Sequence, residues 1–330
     1  MKNYSKDNLP LFSIVVPCWN EENFIGKCLD SVLKQNYPQK KIEILVIDGM
    51  SKDKTREILK EYSNRFQNIK VIDNKRKITP VALNLGVKNS RGEIIIILGA
   101  HSFLKEDFIS QNIKYLKKTN ADCVGGAIKS IGKNYWGRVI SFVMASPFGV
   151  GDAKFRYAKK GGYVDTVAFG AYKKEVFKKI GLFDEKLYCG QDADFNFRLI
   201  NNGGKIFLTP QIKSYYYVKS SIFKLWKQYF KYGFSKAMMV KKYRTIVSVR
   251  SFMPPIFVLS LAIFAILGFF IKLFFFLFFI IFLLYLFLNI IFSFKISFKY
   301  GVKYFFALIL SFFILHFSYG LGFLKGFLKE

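Results

Sequence analysis

Two carboxylates, Asp192 and Asp194, open a segment whose spacing of apolar residues predicts a helix. The segment ends in a run of Asn and Gly at 201–204, which is typical of a helix C-terminus. Both acids therefore fall in the first helical turn, where the partial positive charge of the helix favours carboxylates. Carboxylates at such a place can accept a proton from a substrate, or they can do no more than cap the helix.

The N-terminal part of the chain alternates short apolar runs with segments of helical periodicity. The apolar runs predict buried strands at 12–17, 42–47, 69–72 and 93–98. Strands that alternate with helices predict an α/β fold, with a mostly parallel sheet and helices on both of its faces. Ligands of such sheets bind beyond the carboxyl ends of the strands, which selects the loops at 17–22, 48–53 and 99–102.

Those loops lack the glycine motifs of the common nucleotide-binding folds. The sequence has no G-x-G-x-x-G after the first strand and no G-x-x-x-x-G-K-[ST] anywhere. Asn20 and Glu21 follow the first strand instead, and Asp48 and Asp53 follow the second. A carboxylate at the end of a second strand suits hydrogen bonding to a base or a ribose. Taken singly, each acid can equally serve as a turn or cap residue.

The net charge of +29 over 330 residues predicts an anionic partner. Anionic lipid is favoured over nucleic acid, because the basic residues run up to hydrophobic segments and no nucleic-acid motif is present. Four cysteines without a Cys-x-x-Cys pair indicate neither a zinc site nor a disulfide framework, and they fit a reducing compartment. The polar N-terminus lacks the apolar core of a signal peptide, so we expect the first 250 residues on the cytoplasmic side.

The last 75 or so residues predict about three membrane spans, at 255–271, 273–294 and 304–324. A basic loop at 295–303 is expected on the cytoplasmic side. The spans contain almost no polar residues, which indicates an anchor, although a groove for a polyprenyl chain would also be apolar. Before them, lysines and aromatic residues interleave at 224–234, a pattern suited to a membrane interface.

Several blocks of sequence occur in collinear order over about residues 11–245. They are Val-Pro-Cys-Trp-Asn-Glu-Glu at 16–22, Ile-Asp-Gly-Met-Ser-Lys-Asp at 47–53, and the segments 79–84, 91–94, 146–151, 155–156, 164–172 and 191–192. Together they resemble the family 2 glycosyltransferases of the GT-A fold. The later blocks look like the succinoglycan-type branch, which extends lipid-linked sugars in exopolysaccharide assembly.

The resemblance implies a nucleotide-sugar donor, expected to be a UDP-sugar. The first two loops would hold its uracil and ribose, with Asp53 shaping the second loop. The full set implied for donor binding is Pro17, Asn20, Glu21, Asp48, Asp53, Lys77, Asn84 and Ala100.

The family binds Mn²⁺ or Mg²⁺ through Asp-x-Asp, or in this branch Asp-x-His, at the end of the fourth strand. This sequence reads Gly99-Ala100-His101, so the histidine is kept and the leading aspartate is missing. We expect His101 to be the metal ligand and to prefer Mn²⁺, because Mg²⁺ demands oxygen ligands. The alternative is that His101 is a plain loop residue.

By the same resemblance Asp192 is the general base, which accepts the proton of a sugar hydroxyl in an inverting transfer. Asp165, expected on a strand, and Gln191 would contact the acceptor or donor sugar. A motif similar to Gln-x-x-Arg-Trp adds Gln228, Lys231 and Tyr232 to the acceptor site, with interfacial anchoring as its alternative.

The sequence therefore predicts a membrane-bound inverting hexosyltransferase that acts on a lipid-linked saccharide. Its expected parts are a GT-A domain at 1–220, amphipathic interfacial helices at 221–250 and a transmembrane region at 251–330. We expect the protein in the cytoplasmic membrane as a multi-pass chain, with assembly partners or a second copy as open expectations. The alternatives are a polyprenyl-phosphate sugar synthase and a catalytically silent scaffold of a polysaccharide-assembly complex.

Overall fold

The computed structural model describes residues 9–151, 153–187, 189–245 and 249–329. Most of the polar N-terminus, for which no signal peptide is predicted, and Tyr188 lie outside the described residues. The chain divides into two compact units. The first unit is Met1–Lys129 with Lys154–Tyr216, and the second unit is Ser130–Ala153 with Tyr217–Glu330.

The first unit begins with strands and helices in alternation. In chain order these are β1 (Phe12–Cys18), α1 (Ile25–Leu33), β2 (Ile42–Asp48), α2 (Thr55–Arg65), β3 (Ile69–Asp73), α3 (Thr79–Asn89) and β4 (Ile94–Ile97). β1 pairs in parallel with β2 and β4, and β2 pairs in parallel with β3. The predicted parallel strands and the helices between them are confirmed at nearly their predicted bounds.

The chain continues with elements that, apart from the predicted helix α8, the apolar runs did not predict. They are β5 (Ser102–Leu104), α4 (Phe108–Thr119), β6 (Cys123–Ile131), α5 (Tyr135–Met144), α6 (Pro147–Val150), β7 (Gly162–Tyr163), β8 (Ala168–Lys173), α7 (Lys174–Ile180), α8 (Gln191–Asn201) and β9 (Ile206–Tyr217). The described strands form one sheet in the order β3-β2-β1-β4-β8-β6-β9-β5, with β7 on β9. Because β8 runs antiparallel to β4 and β6, the sheet is mixed.

Successive side chains of β1 enter two different cores, one on each face of the sheet. Ile14 packs with Leu29 of α1 in one core. Val15 packs with Leu83 of α3 and Phe195 of α8 in the other. This alternation is the period-two geometry of a strand covered by helices on both faces. It places α8, with the two acids at its start, against the same face of the sheet as α3.

The Arg91-Gly92 block joins the start of β4 to β2. The amides of both residues and the Arg91 Nε donate to the carboxylate of Glu43, which also accepts from the Ser13 hydroxyl. A Cβ on Gly92 would lie 2.5 Å from Ser13 Oγ, so only glycine fits here. Burial raises the pKa of Glu43, but the hydrogen bonds from Ser13 and Arg91 outweigh it and lower that pKa below its ordinary value.

The second unit contains α5, α6, α9 (Ile222–Tyr243) and three apolar helices, α10 (Met253–Gly268), α11 (Lys272–Tyr300) and α12 (Phe305–Leu328). The apolar segments Val249–Gly268, Lys272–Tyr300 and Val302–Leu328 are long and apolar enough to cross a membrane, as predicted. The predicted basic loop at 295–303 is wrong, since α11 continues to Tyr300. Nothing breaks the helix before Gly301, at φ 124°, and lysines near a helix C-terminus are favoured by its dipole.

Glycines allow α9 to pack closely along α12. A Cβ on Gly233 would lie 2.0 Å from the Tyr319 carbonyl oxygen, and one on Gly322 would lie 2.1 Å from that of Phe230. The segment predicted to lie at the membrane interface therefore rests directly on the last apolar helix.

The block at 146–151 belongs to this helical unit. His316 of α12 donates from Nε2 to the carbonyl oxygen of Phe148, at 2.8 Å, and its Nδ1 lies 3.1 Å from the Tyr285 hydroxyl. The Phe148 ring stacks on Phe292 of α11. These contacts fasten the short helix α6 to α11 and α12, so the block is explained by packing.

Candidate active site

The loops after β1 and β2 are held together by hydrogen bonds between them. The Asn20 amide donates to Ser51 Oγ, and the Lys52 amide donates to Asn20 Oδ1, each at 2.8 Å. The Glu21 amide donates to Thr55 Oγ1 at 2.8 Å. Asn20 thus has both a backbone and a side-chain contact to the second loop, and the two strand ends form one polar rim.

Four residues near these strand ends adopt a left-handed backbone that non-glycine residues rarely use. They are Asn20 at φ 52°, Met50 at φ 59°, Lys77 at φ 57° and Phe169 at φ 47°. Such strain persists only where the surroundings enforce it, and it clusters at functional sites. The location of these strained residues near the strand ends supports the prediction that the loops there bind a ligand.

Asp48 is wholly buried at the end of β2, and its carboxylate faces groups of the protein itself. Ser51 Oγ donates to Oδ1 at 2.6 Å, and Arg56 donates to Oδ2 at 2.7 Å. Arg56 also donates to Asp73, at 2.8 Å. In this arrangement Asp48 braces the loop, and the half-exposed Arg56 is the group that reaches solvent. Contact of Asp48 with a base or ribose remains a prediction.

Asp53 is a loop residue with two backbone partners. Its carboxylate accepts from the Thr55 amide at 3.1 Å and from the Glu22 amide at 3.2 Å. Partial burial raises the pKa of Asp53, but the hydrogen bonds outweigh it and lower that pKa. Its position agrees with a residue that shapes the second loop.

Three further residues predicted to bind the donor, Pro17, Asn84 and Ala100, are buried or partly buried. Pro17 lies within β1 opposite Ile47, and Ala100 is buried in the loop after β4. The Asn84 amide is engaged with the backbone of Phe183 in both directions, at 2.9 Å each. Asn84 therefore fastens α3 to the segment that leads into α8.

His101 lies between β4 and β5 and pairs with Glu21. Nδ1 of the imidazole is 3.0 Å from Glu21 Oε1, and the ring meets Tyr216 edge-on with centroids 5.0 Å apart. If Nδ1 donates to the carboxylate, Nε2 keeps its lone pair and can act as a ligand. Within the described residues, no three side chains of His, Cys, Asp or Glu group as a metal site.

Position 99 has room for a side chain. A Cβ on Gly99 would meet its nearest neighbours, Ser102 Oγ and the Phe169 ring, at 3.5 and 3.7 Å, which are ordinary contacts. The glycine is not required by a left-handed backbone. The missing aspartate thus has no steric cause in this structure.

Asp192 and Asp194 lie in the first turn of α8, as predicted, but in different surroundings. Asp194 is wholly buried and pairs with Arg198 at 3.0 Å. Asp192 is exposed, and its carboxylate accepts a hydrogen bond from the Ala193 amide at 2.8 Å. Asp194 is therefore structural, whereas Asp192 leaves a carboxylate open to a substrate.

A buried polar network attaches α8 to β8 and to the turn before it. Asn196 accepts from the Tyr172 hydroxyl at 2.8 Å and donates to Thr166 Oγ1 at 3.0 Å. Burial raises the pKa of Tyr172, so the phenol stays protonated and remains a donor.

The acceptor-site candidates fall in both units. Asp165 lies at a bend between β7, which ends at Tyr163, and β8, so its expected place on a strand is wrong. β7 pairs with β9 at two residues only, Gly162 and Tyr163, and this pairing ends before Asp165. In the first unit, the side-chain oxygen of Gln191 is buried with no hydrogen-bond partner among the described residues.

Gln228, Lys231 and Tyr232 lie on α9 of the second unit. Gln228 donates to the Tyr232 hydroxyl at 2.8 Å, and Lys231 is exposed. One face of α9 thus carries the polar groups of the predicted acceptor motif. Their contact with an acceptor remains a prediction.

A family model described as Glycosyl transferase family 2 matches residues 13–181. The chain belongs to this family. It is 37% identical over 238 residues to the dolichyl N-acetyl-alpha-D-glucosaminyl phosphate 3-beta-D-2,3-diacetamido-2,3-dideoxy-beta-D-glucuronosyltransferase of Methanococcus voltae, over 70% of this chain and 74% of that protein. It is 27% identical over 243 residues to the succinoglycan biosynthesis protein ExoA of Rhizobium meliloti (strain 1021), over 73% of each chain.

Solved glycosyltransferase structures share the fold. The mannosyltransferase PcManGT from Pyrobaculum calidifontis, in complex with GDP-Man and Mn²⁺, superposes with a TM-score of 0.56 at 18% identity, over 74% of this chain and 67% of that one. S. aureus TarS in complex with UDP-GlcNAc gives 0.52 at 18% identity, over 68% and 66%. The predicted family 2 membership, the GT-A fold and the assignment as a glycosyltransferase are confirmed.

Three residues around this glycosyltransferase site were not found from the sequence. Arg56 carried no signal, because a single arginine on an amphipathic helix is usually a solvated charge. Asn196 and Tyr172 could have been suspected only as polar residues at apolar positions of α8 and β8.

Proposed function

We propose that this glycosyltransferase moves a sugar from a nucleoside-diphosphate donor to a saccharide carried on a lipid, with inversion at the anomeric carbon. The observation that carries the proposal is the exposed Asp192 beside the neutralised Asp194 at the start of α8. A single open carboxylate is what an inverting transfer needs. Burial, followed by the charge of Asp48, raises the pKa of Cys18, so this strand-end thiol stays protonated and is no nucleophile.

In the proposed reaction, Asp192 accepts the proton of an acceptor hydroxyl as that oxygen attacks the anomeric carbon. The bond between the anomeric carbon and the donor diphosphate breaks on the opposite face. The nucleoside diphosphate leaves with the electron pair of that bond. Tyr172 and Asn196 hold α8 in place and take no proton themselves.

The donor class follows from the loops after β1, β2 and β3. Their cross-bonded, strained backbone presents Asn20 and Lys77 at the ends of parallel strands, where the ligands of such sheets bind. We propose a UDP-sugar, on the resemblance of the 16–22 and 47–53 blocks. TarS, with the same fold, was crystallised with UDP-GlcNAc.

A divalent metal would neutralise charge on the donor diphosphate. The described residues offer it the imidazole of His101, oriented by Glu21, and no leading carboxylate at position 99. This set fits a metal that binds together with the nucleotide, whose own oxygens complete the coordination. It favours Mn²⁺ over Mg²⁺, because imidazole suits the softer ion.

The acceptor and the membrane location are proposed from the second unit and the relatives. The Methanococcus voltae enzyme is named for a dolichyl phosphate-linked sugar, and ExoA for succinoglycan biosynthesis. Asp152 and Glu330 are the only acids in the sequence of the second unit, so its many lysines are matched by few carboxylates. We propose that these lysines face anionic lipid on the cytoplasmic side of the cell membrane, with the catalytic unit in the cytoplasm.

A transfer assay with the full chain in detergent tests this function. Radiolabelled UDP-sugars and GDP-sugars are offered with a lipid-linked saccharide or with polyprenyl phosphate. Transfer to the saccharide with inverted anomeric configuration is expected. Transfer to polyprenyl phosphate alone would favour the synthase alternative, and a protein that neither binds nor consumes any nucleotide sugar would be a scaffold.

A further inference from the structure

A short basic segment of the first unit, Lys154–Lys160, has no role in the reaction described so far. It holds three exposed lysines, Lys154, Lys159 and Lys160, and a partly buried arginine, Arg156. No acid follows in the sequence until Asp165, and none of these four cations forms an ion pair with a described residue. The segment is therefore a concentration of positive charge without a counterion among the residues that the structure describes, which do not include the nearby Asp152.

Arg156 has an unsatisfied donor at the centre of this segment. Its Nη1 is buried and has no hydrogen-bond partner among the described residues. Its guanidinium lies over the neighbouring Phe155 ring, 5.1 Å from the centroid, which fixes the direction of the fork. A buried cationic donor without a partner is costly, so such a group is expected to have a ligand of opposite charge. The planar fork matches the oxygens of a phosphate.

The segment packs against the same core as the helix α8, which carries the proposed base. Phe155 and Ala158 pack against the core that includes Phe195 and Leu199 of α8. At the start of α8, next to Asp192, the buried side-chain oxygen of Gln191 also has no hydrogen-bond partner among the described residues and can accept from a hydroxyl. A substrate with a hydroxyl to be attacked and an anionic group would satisfy both.

We propose that Arg156, with the flanking lysines, binds the phosphate of the lipid-linked acceptor. The donor diphosphate is the less fitting source, because the loop after β3 has a cation of its own, the exposed Lys77. The acceptor, in contrast, must reach Asp192 on α8, the helix against whose core this segment packs. This inference rests on the proposed function for the identity of the acceptor, and on the geometry alone for the binding of phosphate.

The test uses the full chain in detergent and three variants. Arg156→Gln removes the charge and keeps hydrogen-bonding capacity, and Arg156→Lys keeps the charge but loses the fork. Arg65→Gln is the matched control, because Arg65 also lies over the ring of its neighbour, Phe66, at 5.3 Å. Binding of farnesyl diphosphate, farnesol and UDP is measured by calorimetry, and thermal unfolding shows that each variant is folded.

We expect Arg156→Gln to weaken farnesyl diphosphate binding by about tenfold or more, as for loss of a charge-assisted bidentate contact. Arg156→Lys should lose part of this affinity, while farnesol and UDP binding stay unchanged and Arg65→Gln matches the wild type. In the transfer assay, the KM for the lipid-linked saccharide should rise in Arg156→Gln and the KM for the donor should not.

Equal farnesyl diphosphate affinity in Arg156→Gln and wild type would overturn the proposal. Loss of UDP affinity instead would also overturn it, because the ligand would then be the donor diphosphate. If the wild type transferred no sugar yet bound farnesyl diphosphate through Arg156, the proposed function would fall and the phosphate site would stand.

Discussion

Among single residues, two side chains that look equivalent in the sequence can have different surroundings in the fold. Asp192 and Asp194 are both first-turn acids of α8, but Arg198 neutralises only the buried Asp194. The sequence could predict the turn, since apolar spacing and the terminal glycines define the helix. It could not predict which acid is open, because that depends on Arg198 lying near Ile180 and Leu182, to whose carbonyls it also donates.

A carboxylate at position 99 is expected to strengthen metal binding. Gly99→Asp restores the carboxylate that the family pattern places there, and the room around Gly99 accepts its Cβ without a clash. We expect the variant to bind Mn²⁺ and Mg²⁺ more tightly in the presence of UDP and to prefer Mn²⁺ less, because Mg²⁺ gains an oxygen ligand.

Calorimetry of both forms with UDP, with each metal in turn, measures this change. Gly99→Asn serves as the control of similar size without charge. Equal Mg²⁺ affinity in wild type and Gly99→Asp would mean that position 99 never faces the metal.

At the scale of elements, the sequence predicts the parallel half of the sheet and not the antiparallel half. β1, β2 and β4 are apolar runs buried on both faces, and such runs are a strong local signal. β5 and β7 have three and two residues, too few for a period to be recognised. They exist because tertiary pairing with β9 holds them.

The hydrogen bonds of Asn196 are expected to affect catalysis because they position helix α8. Asn196→Leu removes both hydrogen bonds that join α8 to β8 and to the turn at Thr166, and it leaves Thr166 and Tyr172 without this partner. We expect a loss of stability of roughly 1–3 kcal/mol, the usual cost of an unsatisfied buried group. A shift of α8 would also move Asp192, which lies at its start. We therefore expect kcat to fall by about tenfold or more, since small misplacements of a catalytic group are costly.

Steady-state kinetics and thermal unfolding measure the two effects. Leu29→Ala, a core change on the opposite face of the sheet from α8, is the control for stability alone. If both variants lost stability equally and kept the same kcat, Asn196 would be structural only.

At the scale of the whole molecule, the second unit combines a large exposed apolar surface with lysines and arginines that few acids balance. Its apolar helices expose large side chains along α10 and α11, and α9 exposes Lys224, Lys227 and Lys231 on one side. The sequence predicts these helices from composition alone, because hydrophobic length is a local property. It did not predict the packing of α9 on α12, which depends on close backbone contact at glycines.

This distribution predicts preferential binding to anionic membranes. We expect the chain to associate more with vesicles containing phosphatidylglycerol than with phosphatidylcholine vesicles, because each interfacial lysine contributes about 1 kcal/mol near an anionic surface. Replacing Lys224, Lys227 and Lys231 by Gln should reduce this preference. The matched control replaces Lys60, Lys70 and Lys118 of the first unit, which are also exposed. Vesicle flotation at two salt concentrations measures the effect, and an equal loss in both triple variants would contradict it.

The rate of a single turnover in Asp192→Asn tests the proposed role of Asp192 as the general base. We expect the rate to fall by roughly 10²–10⁴, the range for loss of a positioned base, with UDP affinity unchanged. Glu175→Gln is the matched control, because Glu175 is likewise an exposed acid in the first turn of a helix, α7. If Asp192→Asn kept more than about a tenth of the wild-type rate, well short of that range, and behaved like Glu175→Gln, Asp192 would be a helix-terminal charge and the account would be wrong.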